Sequence, residues 1–149
     1  MAGESVVTDE MRAVIGKKGR PLTFEVEQGA VRKFAAAIGD PNPLWSDEAL
    51  ARRTRYGGII APPTFLCTMN SPTPSMPEIP YSRGLNGGNE WEYFQPIRVG
   101  DRITVVSQIA DIYERGGRLG NMVFVVRETI YTNQFGEKVA VSRNTGIRY

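Results

Sequence analysis

Residues 90–114, EWEYFQPIRVGDRITVVSQIADIYE, decide the fold of this chain. Their β-branched and aromatic runs are typical of strands, and Gly100-Asp101 is a turn signal between two of them. Residues 118–149 continue this composition, with further turn signals at Gly116-Gly117 and from Asn133 to Gly136. The second half therefore predicts about four long strands, joined by hairpins and hence antiparallel.

The first half favours helices, apart from one early strand at 22–27, where apolar and polar residues alternate. Helical spacing and capping residues predict helices over 8–19, 27–40 and 46–54. The apolar run 64–70 follows a proline pair that suits a first helical turn and predicts a further helix. Helices followed by a sheet indicate an α+β fold, in which helices cover one face of an antiparallel sheet.

Length and composition indicate a single domain over residues 1–149. Residues 71–80 hold four prolines and predict a loop within that domain. The 18 basic and 16 acidic residues are dispersed, which argues against a nucleic-acid partner. No secretory signal or bilayer-spanning run is evident, so we expect a cytoplasmic protein that does not enter membranes.

The sequence contains no histidine and a single cysteine, Cys67. A Ser-His-Asp triad, a Cys-His pair and any histidine-containing metal site are therefore excluded for this chain alone. Neither a disulfide nor a thiolate metal cluster can form within it, and we expect no metal or cofactor. Because Cys67 lies in the apolar run, we expect a buried, inert thiol.

Three separated segments, FAAAIGDPNPLW (34–45), YGGIIAPPTF (56–65) and EWEYFQPIRVGDRI (90–103), resemble the MaoC-like acyl-thioester hydratases and dehydratases. The resemblance covers roughly residues 8–148. It implies a hot-dog fold, in which a long antiparallel sheet wraps around a central apolar helix, here the one beginning near Pro62.

The family's hydratase signature runs Asp, any residue, Asn, Pro, apolar, His, and residues 40–45 read DPNPLW. The resemblance implies addition of water to an enoyl thioester, or the reverse dehydration, with a substrate carried on coenzyme A or acyl carrier protein. Asp40 matches the catalytic Asp and Asn42 the Asn, whereas Trp45 stands at the His position. Pro62 matches the backbone donor that would stabilise the oxyanion, and proline has no N–H.

The missing histidine and the missing N–H donor have a common explanation. The resemblance also covers enzymes in which one hot-dog half carries the Asp/His dyad and the other holds the acyl chain. We expect this chain to be the second kind of half, in a homodimer or heterodimer with another hot-dog chain. Alternatively, Asp40 acts in a self-sufficient homodimer with Tyr81 or Tyr93 as the acid. A third possibility is a non-catalytic protein that binds acyl thioesters.

Several candidate residues also have simple structural explanations. Asp40 and Asn42 are good turn formers, and Trp45 would fill the volume of an imidazole and its water. Gly57 and Gly58 allow close chain approach but, by the resemblance, border the thioester. Ala61 and Pro62 are further candidates for substrate binding. Arg52, Arg53 and Arg55 either bind a coenzyme A phosphate or form a solvated helix surface. Residues 84–90 (GLNGGNE) weakly resemble a phosphate-binding loop, but they lead into a strand and not a helix.

Overall fold

The computed structural model describes residues 5–149. The elements follow one another in this order: α1 (Asp9–Ala13), β1 (Leu22–Glu25), α2 (Gln28–Ala37), a first 3-10 helix (Pro43–Trp45), α3 (Glu48–Arg52), a second 3-10 helix (Pro63–Thr68), β2 (Gly84–Tyr93), β3 (Arg102–Gly117), β4 (Gly120–Thr132) and β5 (Lys138–Arg148).

The five strands form one antiparallel sheet in the order β1-β3-β4-β5-β2. The predicted α+β class with an antiparallel sheet is therefore confirmed. Only β3–β4 and β4–β5 are hairpins; the expectation that all the long strands are joined by hairpins is wrong for β2, which pairs with β5. Residues 84–90 do not precede a strand but form its first part, because β5 supplies their backbone partners despite the lack of an apolar pattern.

Two apolar clusters pack against the sheet. The larger one joins α2, both 3-10 helices and the sheet, and includes Val31, Trp45, Phe65, Ile103 and Tyr131. The smaller one joins α1 to the far end of β3 and β4. Alternation along β3, where every second residue from Ile103 to Ile109 is buried, turns one face of the sheet toward these clusters.

The predicted helix 64–70 is a six-residue 3-10 helix, Pro63–Thr68. Two prolines remove backbone donors at its start, and Pro72 disfavours helical geometry at Ser71, so the run is too short for a stable α-helix. Its turn buries Phe65, Leu66 and Met69 and directs the residues between them outward. The expectation that Cys67 is buried is consequently wrong, because its thiol is exposed.

Residues 71–79 have no regular secondary structure, as the prolines predict. The Pro-rich segment (71–80) is anchored to the sheet, since the Ser71 hydroxyl donates to Ser107 Oγ at 2.9 Å in a buried position. The backbone of Gly19 lies close to the same segment: a Cβ on Gly19 would lie 1.8 Å from the Pro72 carbonyl oxygen, so this approach requires a glycine. Within residues 5–149, no helix is both long and apolar enough to cross a membrane.

Candidate functional site

Residues 40–45 form two successive side-chain-closed turns at the end of α2. The backbone N–H of Asn42 donates to Asp40 Oδ1 at 3.0 Å, and the N–H of Leu44 donates to Asn42 Oδ1 at 3.0 Å. The Asn42 side chain thereby caps the first 3-10 helix. Asp40 and Asn42 each use a side-chain oxygen to hold the loop in shape.

The turns place Trp45 in the wall of an apolar cavity of about 500 Å³, hereafter the Trp45 cavity. Trp45 is 7% exposed, and its Nε1 has no hydrogen-bond partner among the described residues. The lining comes from three parts of the chain: Leu44, Trp45, Arg55, Tyr56, Ile60, Ala61, Pro63, Tyr93, Phe94, Gln95, Pro96, Ile97 and Arg98. Such a mainly apolar pocket with a few polar groups is typical of small-molecule sites.

Backbone hydrogen bonds bring these parts together. The N–H of Ile60 donates to the Leu44 carbonyl at 3.4 Å, and the N–H of Ala61 donates to the Ile97 carbonyl at 2.8 Å. The segment 59–61 thus lies between the loop 40–45 and the chain entering β3. Pro62 is buried immediately beyond it and outside the cavity lining.

Two arginines lie at the mouth of the Trp45 cavity. Arg98 donates through Nη1 to the carbonyl of Tyr56, and Arg55 donates through Nη2 to the Tyr56 hydroxyl at 2.8 Å. The hydrogen bond to Tyr56 raises the pKa of Arg55. As guanidinium groups, both side chains carry a positive charge. Gly57 and Gly58 line an adjacent cavity of about 270 Å³ that shares Tyr56 and Arg98 with the first.

Aromatic side chains continue from the Trp45 cavity along the sheet. Tyr93 stacks on Trp91 with ring centroids 5.7 Å apart, and Trp91 stacks on Tyr131 at 5.6 Å. Burial raises the pKa of both tyrosines, which are therefore protonated at neutral pH. A protonated phenol can donate a hydrogen bond to a carbonyl or hydroxyl oxygen of a ligand.

The predicted residues are only partly gathered in one place. Trp45 and Ala61 line the Trp45 cavity, Gly57 and Gly58 line its neighbour, and Asp40 and Asn42 stay in the loop behind it. Of the two proposed acids, Tyr93 lies in this cavity and Tyr81 lines another one.

Sequence reasoning missed Tyr56, Phe94 and Arg98 as lining residues. Their signal was weak: Phe94 follows Tyr93 in an aromatic pair just before Pro96, where a strand must end. Nothing in the spacing predicts that these residues face the loop 40–45. Among residues 5–149, no group of three or more His, Cys, Asp and Glu side chains is placed to hold a metal ion.

The single antiparallel sheet and its strand order are those of a hot-dog fold. Residues 13–142 match the family model for the FAS1-like, dehydratase domain region, and the chain belongs to this family.

Individual relatives and solved structures are similar to this chain. A UPF0336 protein from Streptomyces avermitilis is 35% identical over 138 residues, 88% of this chain and 89% of that protein. A MaoC-like dehydratase from Rhodospirillum rubrum superposes with a TM-score of 0.70 at 25% identity, covering 91% of this chain and 92% of the other. A chain of the ChsH1-ChsH2 complex from Mycobacterium tuberculosis reaches 0.79 at 19% identity, covering 97% and 89%.

Proposed function

We propose that this chain is the acyl-binding subunit of an (R)-specific enoyl-thioester hydratase or 3-hydroxyacyl-thioester dehydratase. A second hot-dog chain supplies the Asp/His dyad. The observation that carries the proposal is the loop 40–45: it matches the hydratase signature at Asp40, Asn42 and Pro43, yet Trp45 stands at the position of the histidine and lines an apolar cavity.

The local chemistry supports binding over catalysis. Hydration requires a base that activates water and a donor for the enolate oxygen. Asp40 already accepts a backbone hydrogen bond and lies outside the cavity lining, and Pro62 and Pro63 offer no N–H beside the cavity. What remains is a cavity suited to an apolar chain, with Arg55 and Arg98 at its mouth to attract the phosphates of coenzyme A or the phosphopantetheine of acyl carrier protein.

One long strand supports the partner requirement. β2 is an edge strand of ten residues whose outer backbone groups have no strand beside them in the described chain. A long open edge is a template for a second sheet, and the related ChsH1-ChsH2 structure is itself a complex. We infer that β2 joins this chain to a second hot-dog chain.

The decisive experiment measures loss of crotonyl-CoA absorbance with the purified chain alone and with a hot-dog chain bearing Asp and His. We expect no turnover above the buffer rate alone and clear turnover for the pair. Substituting the partner's histidine should abolish turnover, whereas Asp40→Asn here should leave it nearly unchanged.

Two other outcomes would each support a different function. Appreciable turnover by the chain alone, lost in Tyr93→Phe, would indicate the self-sufficient homodimer, in which the protonated Tyr93 hydroxyl serves as the acid. Tight binding of acyl-CoA without turnover in any pairing would indicate a non-catalytic acyl-thioester binding protein.

A further inference from the structure

A polar groove lies next to the Trp45 cavity, and the family chemistry does not require it. Tyr93 lines the Trp45 cavity and stacks on Trp91, which together with Tyr131 lines a second cavity of about 240 Å³. That cavity shares Arg127 and Asn144 with a third, of about 550 Å³, under the Pro-rich segment. We call the second and third cavities together the Arg127 groove.

The strand register explains the order of these groups. Tyr131 of β4 lies opposite Ala140 of β5, and Ala140 lies opposite Tyr93 of β2. Arg127 of β4 lies opposite Asn144 of β5, and its side chain is on the same face as that of Tyr131. The two residues are four positions apart along β4, which is roughly 13 Å at about 3.3 Å per residue. The face toward the centre of the fold thus changes from aromatic to cationic and amide-bearing over that distance.

Arg127 is half-buried, and its hydrogen bonds leave part of its guanidinium free. Among residues 5–149, its hydrogen bonds all use Nη2, which donates to the Ser71 carbonyl and to Ser107 Oγ at 3.2 Å. These bonds fix the side chain against the Pro-rich segment. The donors on Nε and Nη1 are left without a partner in the described chain.

The charge of Arg127 is also unbalanced. Neither of the two ion pairs within residues 5–149 includes it. Glu78 at the rim of the groove is exposed and forms no ion pair with Arg127, and Arg148 adds a second positive charge to the same lining. The free Nε and Nη1 of Arg127 are not among the buried atoms without a partner in residues 5–149, so a carboxylate can reach them and form charge-assisted hydrogen bonds.

We propose that the Arg127 groove receives the distal end of the acyl chain, that this end carries a carboxylate, and that Arg127 is the residue that selects for it. This inference rests on the proposed function, in which the Trp45 cavity holds the acyl thioester. The aromatic row then contacts the middle of the chain. Asn144 and the free Nε and Nη1 donors of Arg127 lie where the carboxylate arrives.

The test compares two coenzyme A thioesters of equal chain length, decanoyl-CoA and decanedioyl-CoA, by quenching of tryptophan fluorescence in the full chain. The chain has two tryptophans: Trp45 lines the Trp45 cavity, and Trp91 lines the second cavity, which belongs to the Arg127 groove. Binding in either place should therefore change the fluorescence. We expect decanedioyl-CoA to bind about ten- to a hundredfold more tightly, as for one charge-assisted hydrogen-bonded pair. Arg127→Met should reduce that ratio to about one, because the distal carboxylate loses its partner.

Arg143→Gln is the matched control, because Arg143 lies on the neighbouring strand with its side chain on the opposite face, paired with Glu128 at 2.8 Å. It should keep the wild-type ratio. Equal binding of the two thioesters by the wild type, or a ratio that survives Arg127→Met, overturns the inference and leaves the proposed function intact. If neither thioester binds, the proposed function fails and the inference with it.

A second ligand keeps the test decisive if Arg127→Met does not fold. The monomethyl ester of decanedioyl-CoA has nearly the same shape as the free acid but no distal charge. This comparison uses the wild-type chain and needs no variant. Its affinity should fall to that of decanoyl-CoA. An ester that binds as tightly as the free acid would contradict selection of a carboxylate by Arg127.

Discussion

At the scale of single residues, Asp40 and Trp45 have separate structural roles although they belong to one signature. The Asp40 carboxylate closes a turn by accepting from the Asn42 N–H, and the Trp45 ring is part of the main core. A histidine at position 45 would be smaller and would leave space beside the cavity. Replacement of the histidine by Trp45 therefore exchanges a reactive group for packing.

The role of Asp40 predicts different effects for two substitutions. Asp40→Asn keeps an oxygen that accepts from the Asn42 N–H and should change the free energy of unfolding little. Asp40→Ala loses the acceptor and should cost about 1 kcal/mol, the usual net value of such a hydrogen bond. Urea denaturation of both variants measures this difference. Equal losses in the two variants would show that the charge, and not the turn, is what matters.

A second residue-scale prediction concerns Glu114 of β3, which ties down the chain before α1. Its carboxylate accepts from the Val7 N–H at 2.7 Å and from the Ser5 hydroxyl at 3.3 Å. The backbone hydrogen bond from Val7 is the main cause that lowers the pKa of Glu114. Since its pKa is lower in the folded state, the stabilisation is complete above the unfolded pKa of about 4.3 and is lost as pH falls through the folded value.

Urea unfolding of the wild type and Glu114→Gln, from neutral pH to about pH 3, tests this linkage. The wild type should be the more stable at neutral pH, and the gap should close as the carboxylate is protonated. A gap that is constant with pH would mean that Glu114 stabilises the chain only through its shape.

At the scale of elements, the close contact between Gly19 and the Pro-rich segment predicts a strong effect of one methyl group. A Cβ on Gly19 would lie 1.8 Å from the Pro72 carbonyl oxygen and 3.1 Å from that of Ser107, both backbone atoms that cannot rotate away. Gly19→Ala should therefore lower the free energy of unfolding by about 1–3 kcal/mol.

Gly29→Ala is the matched control for Gly19→Ala, because Gly29 lies in α2 and a Cβ there meets nothing within 4 Å. It should raise the free energy of unfolding by up to about 1 kcal/mol, since alanine favours a helix over glycine. Thermal unfolding followed by circular dichroism compares the two variants. If Gly19→Ala is as stable as the wild type, the Pro-rich segment is not held in the described position.

Elements with a strong local pattern could be predicted, and those that depend on a distant partner could not. β-Branched and aromatic runs predict β3 and β4, and the Asn133–Gly136 turn predicts the link between β4 and β5. Residues 84–90 carry no alternation, and β5 decides their structure. In the same way, the signature predicted that the loop 40–45 lacks the histidine. It could not predict that Tyr56, Phe94 and Arg98 line the Trp45 cavity, or that the Arg127 groove exists, because both arise from contacts between segments far apart in sequence.

At the scale of the whole molecule, the open edge of β2 predicts that the assembly depends on that strand. Leu85, the second residue of β2, pairs with Ile147 of β5 and is 50% exposed. A lysine on an edge strand opposes pairing with a second sheet, because its charge must then be desolvated. Leu85→Lys should therefore weaken self-association, or association with the His-bearing partner, by at least about tenfold, which is about 1.4 kcal/mol.

Sedimentation equilibrium of the chain alone and of the mixture measures this effect. Phe135→Lys is the control: Phe135 is 75% exposed but lies in the turn between β4 and β5, and its replacement should leave association unchanged. Under the proposed function turnover requires the pair, so Leu85→Lys should also lower the activity of the pair at low concentration, and high concentration should restore it. Loss of activity that concentration does not restore would place the defect within this chain and not at the β2 edge.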